Sequence, residues 1–292
     1  MNDVDPFAID TRLARLAFER AAATYDEAAV LQREVGARML DRLDYIKILP
    51  RAVLDAGSGT GQGSRGLQRR YPKANILELD IASAMLRRSQ QRMPKRWWPF
   101  LRRAVAHICG DIEHAPIKSS SVDMVWCNLT LQWLNYPQRV FAEMFRTLRP
   151  DGLLMFSTFG PDTLKELRQA YSGTDHYSHV HRFIDMHDLG DMLLAAGFVN
   201  PVMDMEQICM TYSDVTSLMR DLKSIGAHNV TRGRRRGLTA KSQLQTVARN
   251  YEQFRREGRL PATFEVVYGH AWKPEQPTTA DGRAVIEIKI GS

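Results

Sequence analysis

The chain has 292 residues, 44% hydrophobic and 25% charged, enough to bury a sizeable core without metal or disulfide staples. Forty Lys and Arg against 33 Asp and Glu give a formal charge of +7, gathered in runs at Arg69-Arg70, Arg87-Arg88, Lys95-Arg96, Arg102-Arg103 and Arg234 to Arg236. Such runs fit an acidic partner, either nucleic acid or a small acidic carrier protein, or else a solvated basic face. The acidic opening MNDVDPFAID has no apolar run, so no secretory leader is expected, and no window approaches the roughly 20 apolar residues of a membrane span, so a soluble, cytoplasmic protein is expected.

From Arg12 to about Leu43, apolar residues recur at helical spacing and predict one or two helices ahead of the first strand. Ala52 to Asp55 reads as a short apolar strand, followed by a glycine-rich turn and a helix over Gln62 to Arg70. Asn75 to Asp80 is a second strand and SAMLRRSQQR a further helix. The basic aromatic segment Pro94 to Arg103 follows and has no assigned role. Ala104 to Cys109 and Val122 to Cys127 are apolar strands, Pro137 to Leu148 is an amphipathic helix, Pro150-Asp151-Gly152 is a turn, and Leu153 to Phe159 is a fifth strand. This alternation calls for a doubly wound α/β fold, a mostly parallel sheet covered on both faces.

Beyond it the spacing predicts helices at Thr163 to Tyr171 and Leu189 to Ala196, a strand in VMDMEQICMTY, helices at Val215 to Ile225 and Lys241 to Arg256, and a strand over Phe264 to Trp272. The two later helices lie between sheet strands, where an insertion can fold over the carboxyl edge as a lid. The tail alternates in AVIEIKI, as an added edge strand or a loose end. The expected organisation is a helical cap over 1–48, an α/β core over 49–212, a lid over 213–258, and a last strand with tail over 259–292. Cys109, Cys127 and Cys209 are widely spaced, each in a predicted strand, and read as reduced core residues.

Asp55-Ala56-Gly57-Ser58-Gly59-Thr60-Gly61 sits between strand and helix, where glycines let the backbone approach a ligand closely. Alone it fits a dinucleotide as well as S-adenosyl-L-methionine. Asp80 ends the second strand, where an acid grips ribose hydroxyls, with Ile81 and Met85 behind it. Gly110-Asp111-Ile112 and Val122 to Leu129 resemble the positions at which class I methyltransferases hold adenine and the methionine part of the cofactor. The resemblance implies a Rossmann-like seven-stranded sheet and a cofactor set of Asp55, Gly57, Ser58, Gly59, Gly61, Asp80, Ile81, Met85, Asp111, Ile112, Asn128 and Leu129.

Phe18 to Asp26, Leu31 to Val35, Asn128-Leu129-Thr130-Leu131-Gln132-Trp133, Phe156 to Gly160, Asp221 to Asn229 and Ala262 to Tyr268 together resemble the malonyl-acyl-carrier-protein O-methyltransferases of biotin synthesis over nearly the whole chain. Gly160 to Arg168 and Ala262 to Tyr268 also resemble the mitochondrial complex I assembly factor that hydroxylates an arginine. A cofactor-binding module without turnover is the third reading. The first resemblance implies S-adenosyl-L-methionine as methyl donor and a malonyl thioester on acyl carrier protein or coenzyme A as acceptor. It sets Tyr25 over the cofactor.

Trp133 is expected to wall the methyl pocket. Arg168, with Arg182 and Lys223 as alternatives, is the expected carboxylate clamp. Thr231 to Gly237, inside the lid, is the candidate dock for an acidic carrier protein, or a solubilising loop. His176, His179 and His181 lack a companion ligand at metal spacing, so no metal is expected. The loop 231–237 has no interleaved aromatics, so nucleic acid is not expected.

Overall fold

A computed structural model describes residues 5–92, 105–235, 237 and 239–275. The Pro94 to Arg103 segment, Arg236 and the AVIEIKI tail lie outside them.

The element order is α1 (Thr11–Ala21), α2 (Tyr25–Ala28), α3 (Val30–Arg42), β1 (Ala52–Ala56), α4 (Gln62–Arg70), β2 (Asn75–Asp80), α5 (Ser83–Arg92), β3 (Val105–Cys109), β4 (Val122–Asn128), α6 (Pro137–Thr147), β5 (Leu148–Phe159), α7 (Lys165–Tyr171), α8 (Met186–Ala195), β6 (Val199–Tyr212), α9 (Val215–Ser224), α10 (Lys241–Tyr251) and β7 (Leu260–Trp272). The sheet runs β3-β2-β1-β4-β5-β7-β6. β1 to β5 pair in parallel, and β7 is antiparallel to both β5 and β6. The late strands therefore complete the predicted doubly wound sheet at one end.

Side chains alternate across the pleat, so each central strand feeds two cores. Val53, Met124, Trp126, Leu153 and Met155 face α3, α4, α7, α9 and α10. Leu54, Val125, Cys127, Leu154 and Phe156 face α6 and α8. A crevice at the carboxyl ends opens where strand order reverses, between β1 and β4.

Three details depart from expectation. β5 starts at Leu148 rather than Leu153: Asp151 takes φ 59° and the pairing with β4 shifts register there, so the predicted turn becomes an irregularity within the strand. The N-terminal helical run is three helices, broken near Thr24 and Ala29. Only Cys127 is a core residue; Cys109 and Cys209 are exposed because β3 and β6 are the two edges of the sheet, where no further strand covers them. Among the described residues no helix is long and apolar enough to cross a membrane.

Candidate active site

The glycine turn follows β1 with Gly57, Gly59 and Gly61 all at positive φ. At Gly57 the requirement is doubled, since a Cβ there would lie 2.1 Å from Thr130 Oγ1 after β4. The turn is stitched to β2: Gly57 N donates to Leu79 O at 2.8 Å, and Gly59 N donates to Asp80 Oδ2 at 2.8 Å. Ala82 N donates to the other oxygen of Asp80 at 2.8 Å. Burial outweighs these two bonds and raises the Asp80 pKa to about 6.

Asp55 lies below the turn and away from ligand space. Its carboxyl is 2% exposed and accepts from Ser64 Oγ at 2.6 Å. Burial is the main cause that pushes its pKa up to about 7, with the Ser64 bond opposing. It acts as an internal brace between β1 and α4.

The cap closes over this turn. Glu19 of α1 accepts from Ser83 N at 2.7 Å and Ala84 N at 2.9 Å, capping α5 and fixing α1 on the core. Asn128 Nδ2 donates to Gln32 O at 3.1 Å, and Asn128 Oδ1 accepts from Ser157 Oγ at 2.8 Å, so one side chain joins α3, β4 and β5. Leu129 follows at φ 48°, a left-handed conformation that costs a non-glycine residue about 1 kcal/mol and here turns the chain into the cavity wall. The lid meets the cap on the other side, where Asp10 N donates to Val230 O at 3.0 Å and Arg232 N to Ala8 O at 2.8 Å.

A cavity of about 360 Å³ runs between these elements. Of the expected cofactor residues, Gly57, Gly59, Asp80, Ile81, Met85, Asp111, Ile112, Asn128 and Leu129 line it, whereas Asp55, Ser58 and Gly61 do not. Tyr25 and Trp133 line it as well. Tyr25 stands near Asp80, and burial, followed by that negative charge, raises its pKa well above the phenol range, so its hydroxyl stays a donor.

Arg168 is not brought to the site. Its terminal nitrogens donate to Pro161 O at 3.0 Å and Thr163 O at 3.1 Å, pinning the loop ahead of α7, and it faces an outer groove beside Arg182. Lys223 does not line the cavity either. Among the described lining residues there is no Lys or Arg, so the expected cationic clamp is absent from the wall.

From sequence, Phe18, Gln32, Gln132, His228 and Asn229 enter only as part of the family resemblance, without an individual role, and His181 only as a weak metal candidate in a lid loop. All six line the cavity. The three loop histidines diverge: His179 Nε2 lies 2.7 Å from Asp175 Oδ1 with its ring stacked on Tyr171, His181 turns inward, and His176 is exposed. Among the described residues no cluster of three or more His, Cys, Asp or Glu is placed to hold a metal ion.

The far chamber is walled by Phe159, Leu167, Phe183, Met210, Met219 and Phe264. Tyr212 Oη donates to Asp221 of the lid at 2.8 Å. Turn, acids and chamber together make a site that combines backbone donors and carboxyls at one end with a largely apolar chamber at the other. A nucleoside-bearing cofactor fits the first end: Asp80 faces the cavity at a strand terminus, and a Cβ at Gly59 would meet nothing within 4 Å, leaving room above the turn.

Residues 54–156 match the methyltransferase domain family. The chain is 54% identical to the malonyl-[acyl-carrier protein] O-methyltransferase of Gallionella capsiferriformans, over 98% of this chain and 99% of that one. It is 56% identical to the protein of the same name from Nitrosospira multiformis, over 93% of this chain and 92% of that one. Among solved structures, the YcgJ protein of Bacillus subtilis superposes with a TM-score of 0.59 at 12% identity, covering 83% of this chain and 99% of that one, a likeness of fold. The reported relatives carry the methyltransferase name, so they lend the arginine-hydroxylase reading no support.

Proposed function

The chain belongs to the malonyl-[acyl-carrier protein] O-methyltransferase family, and we propose that it transfers the methyl group of S-adenosyl-L-methionine to the free carboxylate of a malonyl thioester. The capped ester then enters chain elongation as an early step of biotin synthesis in the cytoplasm. The observation that carries the reading is the cavity that joins the glycine turn and Asp80 to an apolar chamber with no Lys or Arg among its described lining residues.

When bound, the cofactor supplies an electrophilic methyl on a sulfonium. A malonyl carboxylate is ionised at pH 7, so no general base is required and positioning carries the catalysis. Asp80 is placed to accept from ribose hydroxyls and Asp111 from an adenine amino group. Ile81, Met85, Ile112 and Leu129 are placed to enclose the nucleoside and methionine portions. Tyr25 donates its hydroxyl across the cofactor end, while Trp133 and Phe18, edge to face at 5.0 Å, wall the space around the methyl. A wall without Lys or Arg among the described residues leaves the carboxylate nucleophilic, since a cation would hold the ground state more tightly than a transition state in which that charge is being neutralised.

The acyl group arrives on a carrier protein. Arg20 of α1, Lys223 of α9 and Arg234 of the lid loop stand near His228 at the seam of cap and lid and together lower its pKa, after burial. None of the three makes an ion pair among the described residues. This rim is a dock for an acidic carrier, while none of the three cations lines the cavity itself.

The test is transfer from methyl-labelled S-adenosyl-L-methionine to malonyl-, succinyl- and acetyl-acyl carrier protein. A base-labile methyl ester formed selectively on malonyl carrier is the expected product. Saturable cofactor binding without transfer to any carrier would overturn the reading in favour of a module without turnover or a protein-directed role.

A further inference from the structure

His181 lies on the connection between α7 and α8, inside the cavity and 9% exposed. Its ring meets Trp133 edge to face with centroids 5.1 Å apart, and the tilted ring of Phe183 lies 6.4 Å away. Val230 N, in the lid, donates to His181 Nε2 at 3.4 Å. A neutral imidazole accepts at one nitrogen and donates at the other, so that bond places the ring proton on Nδ1. Among the described residues no hydrogen-bond partner is found for Nδ1–H, which leaves it free to donate to a ligand in the cavity.

The cavity thus holds an N–H without a protein partner among the described residues, beside the tryptophan that walls the methyl space, at a site whose substrate must present a carboxylate and whose described wall has no Lys or Arg. We propose that His181 is the substrate-orienting residue of the site, its Nδ1–H donating to one oxygen of the malonyl carboxylate so that the other oxygen faces the methyl. This rests on the methyl-transfer reading above. In the transfer the attacking oxygen forms its bond to carbon as the sulfur–carbon bond breaks, the bonding pair goes to sulfur, and no proton moves. A neutral donor is therefore sufficient. Burial, with the nearby His228, pushes the His181 pKa down to about 4 and keeps the imidazole uncharged at neutral pH. The lid contributes through Val230, so ring orientation and lid seating are coupled.

The experiment compares His181→Phe, which keeps an aromatic ring against Trp133 without the donor, with His181→Asn, whose amide nitrogen falls near the position of Nδ1. Steady-state kinetics with malonyl-acyl carrier protein, calorimetric cofactor affinity and melting curves are read together, with His181→Leu as a second donor-free variant. The Phe and Leu variants are expected to lose about 10- to 100-fold in kcat/KM for the malonyl carrier, as for one buried hydrogen bond to a charged group, with cofactor Kd within about twofold. The Asn variant is expected to recover most of that loss. A folded donor-free variant with unchanged kcat/KM, an Asn variant as impaired as Phe, or a cofactor Kd that worsens in step would each overturn the assignment. A wild-type protein that methylates no malonyl carrier would overturn the functional reading and this inference with it, whereas an active wild type beside an unimpaired Phe variant overturns this inference alone.

Discussion

At the carboxyl ends of β1 and β2 the cavity is made of backbone and short acids close together in sequence, while at the lid it is made of side chains drawn from distant segments. Gly57, Gly59 and Asp80 are locked by main-chain hydrogen bonds that the doubly wound sheet itself imposes. Trp133, His181, Asn229 and Phe264 come from four connections and strands and meet only because the lid folds back onto the cap. The first end is a property of the fold and, on the proposed reading, would serve a nucleoside cofactor; the second is a property of this chain and on that reading would select the acyl partner.

Asp80→Ala should give the largest contrast between the ends. It removes a carboxyl anchored by Gly59 and Ala82 to which the proposed function assigns two ribose hydroxyls, and on that reading cofactor affinity should fall about 100-fold, as for two charged hydrogen bonds lost. Calorimetry on the purified variant measures this. Tyr25→Phe tests the junction of the two ends: its hydroxyl stands near Asp80, and kcat should fall about tenfold with cofactor Kd changed far less, the mark of an interaction made mainly in the transition state.

Asp55→Asn separates brace from ligand. The folded pKa of about 7 lies above the ordinary carboxylate range near 4, so the folded protein holds a proton that the unfolded chain has released, and the stability this confers is lost as pH rises from about 4 to 7. The Asn variant, which keeps a Ser64 contact, should melt higher than wild type at pH 8, and the gap should close by about pH 4. A gap that does not change with pH would remove this account of Asp55. Arg168→Gln is the smallest effect. Methyl transfer should stay within about twofold while the melting temperature drops by a few degrees, because its guanidinium holds Pro161 O and Thr163 O and touches no ligand space.

The same division explains what could be read from sequence. The central strands announced themselves because strands covered on both faces are continuously apolar, and the glycine turn and Asp80 because their spacing follows from one strand-turn-helix unit. β5 was read short because Pro150-Asp151-Gly152 has turn chemistry that the sheet absorbed as an irregularity. Asp55 and Gly61 belong to the legible motif but support it from beneath. The clamp is expected at Arg168, Arg182 or Lys223 because an isolated carboxylate suggests a cation, yet Arg168 has main-chain carbonyls within reach on its own loop. His181 is invisible as a donor until Val230, 49 residues later, fixes its tautomer.

The account turns on the two ends acting independently within one cavity. The direct test is calorimetric titration of S-adenosyl-L-methionine into Asp80→Ala and into a protein carrying Arg20→Glu, Lys223→Glu and Arg234→Glu, with kcat/KM for malonyl-acyl carrier protein measured on the second. The account predicts lost cofactor affinity only in the first protein, and in the second an unchanged cofactor Kd beside a kcat/KM for carrier lowered about tenfold or more, as expected when docking charges are reversed. Equal loss of cofactor affinity in both, or full activity in the charge-reversed protein, would contradict it.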